Sequence, residues 1–193
     1  MTDFFTRCFK KSSLLLAFVA LSLLITATPP SHAEGIEVRR AALVAAEEGY
    51  YLEADFEITL NPTLEEALNK GVPLFFLFEF EVIRPRWYWL NEKVFSTQQQ
   101  YRLAYNALTR QYRIGVGSLY HNFGSLEEAL DFLSRARRRH VLDPRILARG
   151  STYTAGVRMR LDVSQLPKPF QLNALASREW NFGSDWYRWS MTP

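Results

Sequence analysis

The sequence predicts a mainly β protein, an antiparallel β-sandwich of about seven or eight strands with two short crossover helices. Three observations carry this. Residues 52–60 alternate, with Leu52, Ala54, Phe56, Ile58 and Leu60 apolar and Glu53, Asp55, Glu57 and Thr59 polar, so the strand has one wet face. Residues 153–163 repeat the pattern, with Tyr153, Ala155, Val157, Met159, Leu161 and Val163 set against Thr152, Thr154, Arg158, Arg160 and Asp162. One-sided strands belong to antiparallel sheets. Two short segments, "TLEEAL" from Thr63 and "SLEEAL" from Ser125, read instead as helix starts. The immunoglobulin arrangement is one form such a sandwich takes, and the alternative is an α+β protein with a single antiparallel sheet covered by helices on one face.

The first 33 residues hold Arg7, Lys10 and Lys11, then an apolar run from Leu14 to Ile25, then Ser31-His32-Ala33. This is the order of a secretory signal cleaved after Ala33, too short to anchor a bilayer. The division expected is therefore a signal peptide at 1–33 and one mature domain at 34–193. Cys8, the only cysteine, falls in the first part, so the mature chain has no disulfide, thiol nucleophile or cysteine metal site. Such a chain suits the bacterial periplasm better than a small secreted eukaryotic domain. With Asp3 counted, two units of the formal net charge of +3 belong to the signal. Nothing in the remainder calls for nucleic acid.

Along the mature chain, strands are expected at 36–43 and 52–60, joined by a turn at Glu47-Glu48-Gly49. The first helix is capped by Thr63 with Glu66 as its reciprocal carboxylate, and Asn69-Lys70-Gly71 followed by Pro73 stops it. "VPLFFLFEFEVIRPR" is apolar on both faces at its start and reads as a central strand. Strands follow at 93–103 and 111–116. The second helix, capped by Ser125 and Glu128, extends to about Arg138, with its arginines complementing the C-terminal dipole. After 153–163, the last strand is expected at 185–191. Both helices are expected to cross between sheets.

No nucleophile elbow, phosphate loop or dinucleotide fingerprint is present. His121 and His140 lack a metal-type partner at i+2, i+3 or i+4, and pairing Ser118 with His121 leaves the base without an orienting acid. "GVGS" is simpler as a strand end entering a turn. No cofactor or metal is expected. Glu79 and Glu81 share one face of a strand, expected to be solvated and crossed by arginines of a neighbouring strand.

The unusual composition is aromatic and basic. Arg84, Arg86, Trp87 and Trp89 fall in "RPRWYWLNEK", Arg137, Arg138 and Arg139 in "RARRRH", and Trp186 and Trp189 in the final strand. Arginine beside exposed indole is a recognition surface for a peptide, a sugar or an acidic group. The function expected is a non-catalytic periplasmic binding or adaptor module for an envelope or membrane protein. The rivals are an envelope hydrolase using His121 or His140, and a glycan-binding module using Trp87 and Trp89.

The combination of a signal peptide, "ADFEITLNPTLEEALNKGVPLFFLFEFEV", "WYW", "YRLAYNALTRQYRI", "SLEEAL" and "LPKPFQLNALASREW" resembles an exported Gram-negative bacterial family catalogued as domain of unknown function 4390. The resemblance implies an exported, non-lipidated, single-domain protein with no assigned activity, cofactor or site residues.

Overall fold

The computed structural model describes residues 34–193 apart from Glu48, Trp87, Trp89, Leu90 and Arg149, and apart from the side chains of residues 136–141, Pro144 and Leu175. The signal-peptide reading of residues 1–33 lies outside the described residues. In chain order the elements are β1 (Gly35–Ala46), β2 (Gly49–Thr59), α1 (Pro62–Asn69), β3 (Leu74–Arg84), β4 (Glu92–Asn106), β5 (Gln111–Val116) and β6 (Leu119–Phe123). Then come α2 (Leu126–Ser134), β7 (Arg135–Leu142), β8 (Tyr153–Leu161), α3 (Lys168–Ala176) and β9 (Tyr187–Met191).

The strands form two sheets, β1-β2-β7 and β6-β5-β4-β3-β8-β9, antiparallel at every pairing. The expected sandwich architecture is therefore present. In the larger sheet β3 to β6 run as a meander, and β8 and β9 add to the other side of β3. The period-2 patterns set the facing. Leu52, Ala54 and Phe56 of the small sheet and Phe76, Phe78, Phe80, Val157 and Met159 of the large one are buried in a common core. Phe56 meets Phe78 edge to face at 5.8 Å, joining the two layers. As expected, α1 leads from β2 to β3 and α2 from β6 to β7, each carrying the chain between sheets.

Three local expectations are corrected. The helix start at α1 is capped by Asn61, not Thr63: Asn61 Oδ1 accepts from Leu64 N at 2.9 Å, and Pro62 takes the first helical position. Thr63 instead donates to Glu179 Oε2 at 2.8 Å. At α2 Ser125 does cap, accepting from Glu128 N at 3.1 Å, but Glu128 reaches back to Gly124 N rather than to Ser125. Finally, α2 ends at Ser134, and the arginine run continues as strand β7, which pairs with β2 through Asp55↔Arg135 and Leu52↔Arg139. The dipole gain of a longer helix is a few tenths of a kcal/mol, and completing a third strand on the small sheet outweighs it. Two elements, β6 and α3, have no counterpart in the sequence reading.

Asn61 also donates Nδ2 to the Glu179 carbonyl at 2.7 Å, binding the helix start to the C-terminal segment from a position only 8 % exposed. Asn61→Ala should therefore cost about 2 kcal/mol, from a lost cap and an orphaned carbonyl together. A urea midpoint unchanged from wild type would refute this.

Candidate functional site

The outer face of the large sheet carries a cluster that begins with sequence alternation. Glu79 and Glu81 are two apart on β3, so both leave the face opposite Phe78 and Phe80. Register places Gln98 and Arg158 beside Glu79, and Gly156 beside Glu81. On β9, Arg188 lies opposite Gly156. Glu79 accepts from Arg158 Nε at 2.6 Å, Arg160 Nε at 3.0 Å and Gln98 Nε2 at 3.0 Å. Glu81 is 2.9 Å from Lys93 Nζ and accepts from Arg188 Nη2 at 3.2 Å. The arginines cross this face as expected, but it is not solvated at its base: Glu79 is 7 % and Glu81 5 % exposed. Long cationic stems close over the carboxylates while the charged heads stay half in water.

Trp186, just before β9, completes the surface. Its ring lies 4.6 Å from Arg158 Cζ and 5.2 Å from Arg188 Cζ, within cation–π reach of both. Gly156 makes room for it, since a Cβ there would stand 3.3 Å from the indole. Beside this lies an open cleft of about 700 Å³ with Arg158 and Arg160 on one wall and Ser184 and Asp185 on another. Gly183 lets that second wall close in: it bridges to Arg160, and a Cβ would fall 2.8 Å from Arg160 Cβ.

Chemically this is a pre-organised set of anion receptors. Four cations contact the two buried carboxylates, which leaves two positive charges over in that contact set, and Asp162 and Asp185 line the cleft beside it. Arg158 and Arg160 bind Glu79 through Nε, so their Nη ends are not committed to it.

Residues 33–190 match the family model described as Domain of unknown function (DUF4390). The chain belongs to this family. No curated protein and no solved structure matches it.

Of the described aromatic and basic residues that sequence singled out in this DUF4390 protein, Trp186 alone joins Glu79 and Glu81 in the cluster. Trp189 faces the other way, 6.5 Å from Phe80 and 6.0 Å from Tyr187, at the margin of the core. Arg84 donates Nη2 to the Tyr153 hydroxyl at 2.8 Å, and Arg86 donates to Glu92 at 2.6 Å, at the end of β3. Trp87 and Trp89 lie outside the described residues. So do the side chains of Arg137, Arg138, Arg139 and His140, whose backbone runs in β7. His121 packs its ring 4.8 Å from Phe132. Among the described residues no three His, Cys, Asp or Glu side chains converge as metal ligands, and no helix is long and apolar enough to cross a membrane.

Sequence reasoning missed Arg158, Arg160, Arg188 and Lys93 as site residues. The available signal was two matched alternations, Glu79-x-Glu81 and Arg158-x-Arg160, each on a strand with an apolar opposite face.

Burial pushes the Glu79 carboxyl up, but the hydrogen bonds from Arg158 and Arg160 outweigh it and hold the group below its ordinary value. A lowered folded-state value means the contribution is present above the unfolded value, about 4.3, and is lost as pH falls through the folded one. Glu79→Gln should therefore lower stability near neutral pH by about 1 kcal/mol, discounted for the half-exposed guanidiniums, and flatten the acid limb of the profile below pH about 4. A variant whose acid limb parallels the wild type would exclude Glu79 as its source.

Proposed function

We propose that this DUF4390 protein is a non-catalytic binding or adaptor module, exported to the periplasm by residues 1–33, that recognises acidic groups of an envelope protein through Arg158, Arg160, Arg188 and Trp186. The observation that carries the reading is the way buried Glu79 and Glu81 hold two guanidiniums against the Trp186 ring. A surface kept only for solubility needs no such support. Arginine held in place by a buried carboxylate loses less conformational freedom when it binds, so more of each contact becomes affinity. Arg and Trp are also the residues that most often dominate interfaces.

The test is capture from envelope extract with tagged protein and an Arg158→Ala/Arg188→Ala variant of equal stability. The reading expects a reproducible partner held by the wild type and released by the variant or by raised salt. No reproducible partner, or one held equally by both, counts against it. An N-terminus at Glu34 in periplasmic protein would support export, and an intact Met1 would oppose it.

A further inference from the structure

A second surface, sharing no residue with the arginine cluster, lies where β7 begins. The pairing of β7 with β2 starts at Asp55↔Arg135, whereas β2 pairs with β1 as far as Thr59↔Gly35. On the β7 side, residues 56–59 therefore have no neighbouring strand, and no backbone hydrogen bond outside the sheet ladders reaches them among the described residues. In a strand, every second residue points its N–H and C=O to each side. An open strand edge of about four residues thus faces α2 across a groove of about 620 Å³.

The groove has a definite chemistry. Phe56, Ile58 and Leu60 form its strand wall, and Leu126 and Leu130, one helical turn apart and only half-buried, form its helix wall. Its rim is acidic. Glu57 is compensated by Arg39 and Asp131 by Arg135, but Glu65 and Glu127 have no cationic partner among the described residues.

We propose that this groove takes an extended segment of a partner protein in which apolar and basic residues alternate, and that the segment continues the three-stranded sheet in line with β7. Backbone hydrogen bonds to residues 56–59 supply the register. Alternate side chains then fall on opposite faces, so apolar residues enter between Phe56 and Leu130 while basic ones reach the uncompensated carboxylates. A helix cannot use the open backbone edge, and an acidic segment meets only like charge.

The probe is a fluorescein-labelled hexapeptide of alternating leucine and lysine, titrated into the full protein and followed by anisotropy, with amide hydrogen exchange on the same samples. The expected result is saturable binding with slowed exchange at alternate amides of residues 56–59, those facing away from β1, weakened about tenfold in Glu65→Lys/Glu127→Lys. Proline at two adjacent central positions of the peptide should abolish it, because one of the two then loses a ladder donor. Both glutamates are exposed in the first turns of α1 and α2, and the exchange pattern of wild-type protein tests the site without any substitution. Absence of binding, slowed exchange on β1 or β9 instead, or equal binding by the charge-reversed protein would overturn the proposal. So would a protein whose own dimer already protects residues 56–59, since the occupant would then be a second copy.

Discussion

Phe78→Ala should lower the stability of the domain by about 3–5 kcal/mol. Phe78 is 1 % exposed in the middle of β3, the strand flanked by β4 and β8, and its ring meets Phe56 of the opposite sheet. Truncation removes one of the two rings at the point where the layers touch, and neither sheet can close in because each is fixed by its own ladder. The cost therefore combines the transfer term with that of a cavity that cannot collapse. Against a total of about 5–15 kcal/mol, this takes at least about a fifth of the stability. Thermal unfolding should fall by about 10 °C. A loss below about 1 kcal/mol would mean that the two sheets are not joined through this residue.

The largest functional effect is expected from Arg158→Ala/Arg188→Ala. Each substitution removes one cation stacked on Trp186 and one ion pair, to Glu79 or to Glu81. If each arginine is worth about a factor of ten to an acidic partner, the double variant binds about a hundredfold more weakly. Arg160 and Lys93 still neutralise the two carboxylates, so the fold should survive. Arg158→Lys/Arg188→Lys separates charge from shape. Lysine keeps the positive charge but offers neither the planar face for the indole nor the paired Nη donors, so affinity should remain closer to the alanine variant than to wild type. Full affinity in the lysine variant would reduce the site to a diffuse electrostatic patch.

Much of the fold is legible in the sequence because burial on one face of a strand leaves a period of 2. Leu52 to Leu60 and Tyr153 to Leu161 carry it plainly, and both strands lie where it says. The arginine run at β7 is not legible for the opposite reason: its residues favour helix locally, and only the free edge of β2 makes it a strand. The first helix cap was open to a better reading, since Asn61-Pro62 is a stronger start than Thr63. The cluster was half visible. Glu79 and Glu81 stand out as paired acids, and arginines on a neighbouring strand were expected. What hides it is register: nothing local says that Arg158 lies opposite Glu79, or that Trp186 arrives from a distant part of the chain to stack against two arginines. Binding sites made by neighbours distant in sequence are invisible to periodicity.

The position of β8 has a consequence in time. β3 to β6 are joined by successive local connections, while the Arg160–Glu79 contact spans 81 residues and the Asn61–Glu179 contact 118. Long loops close late and slow the search. Pulse-labelled exchange during refolding should show amides of β4 and β5 protected before those of β8. Until β8 docks, β3, the most apolar strand of the sheet, presents a bare edge along Phe76 to Ile83. The nascent protein is thus most prone to self-aggregation before its last forty or so residues arrive, and β8 acts as the latch that ends that interval.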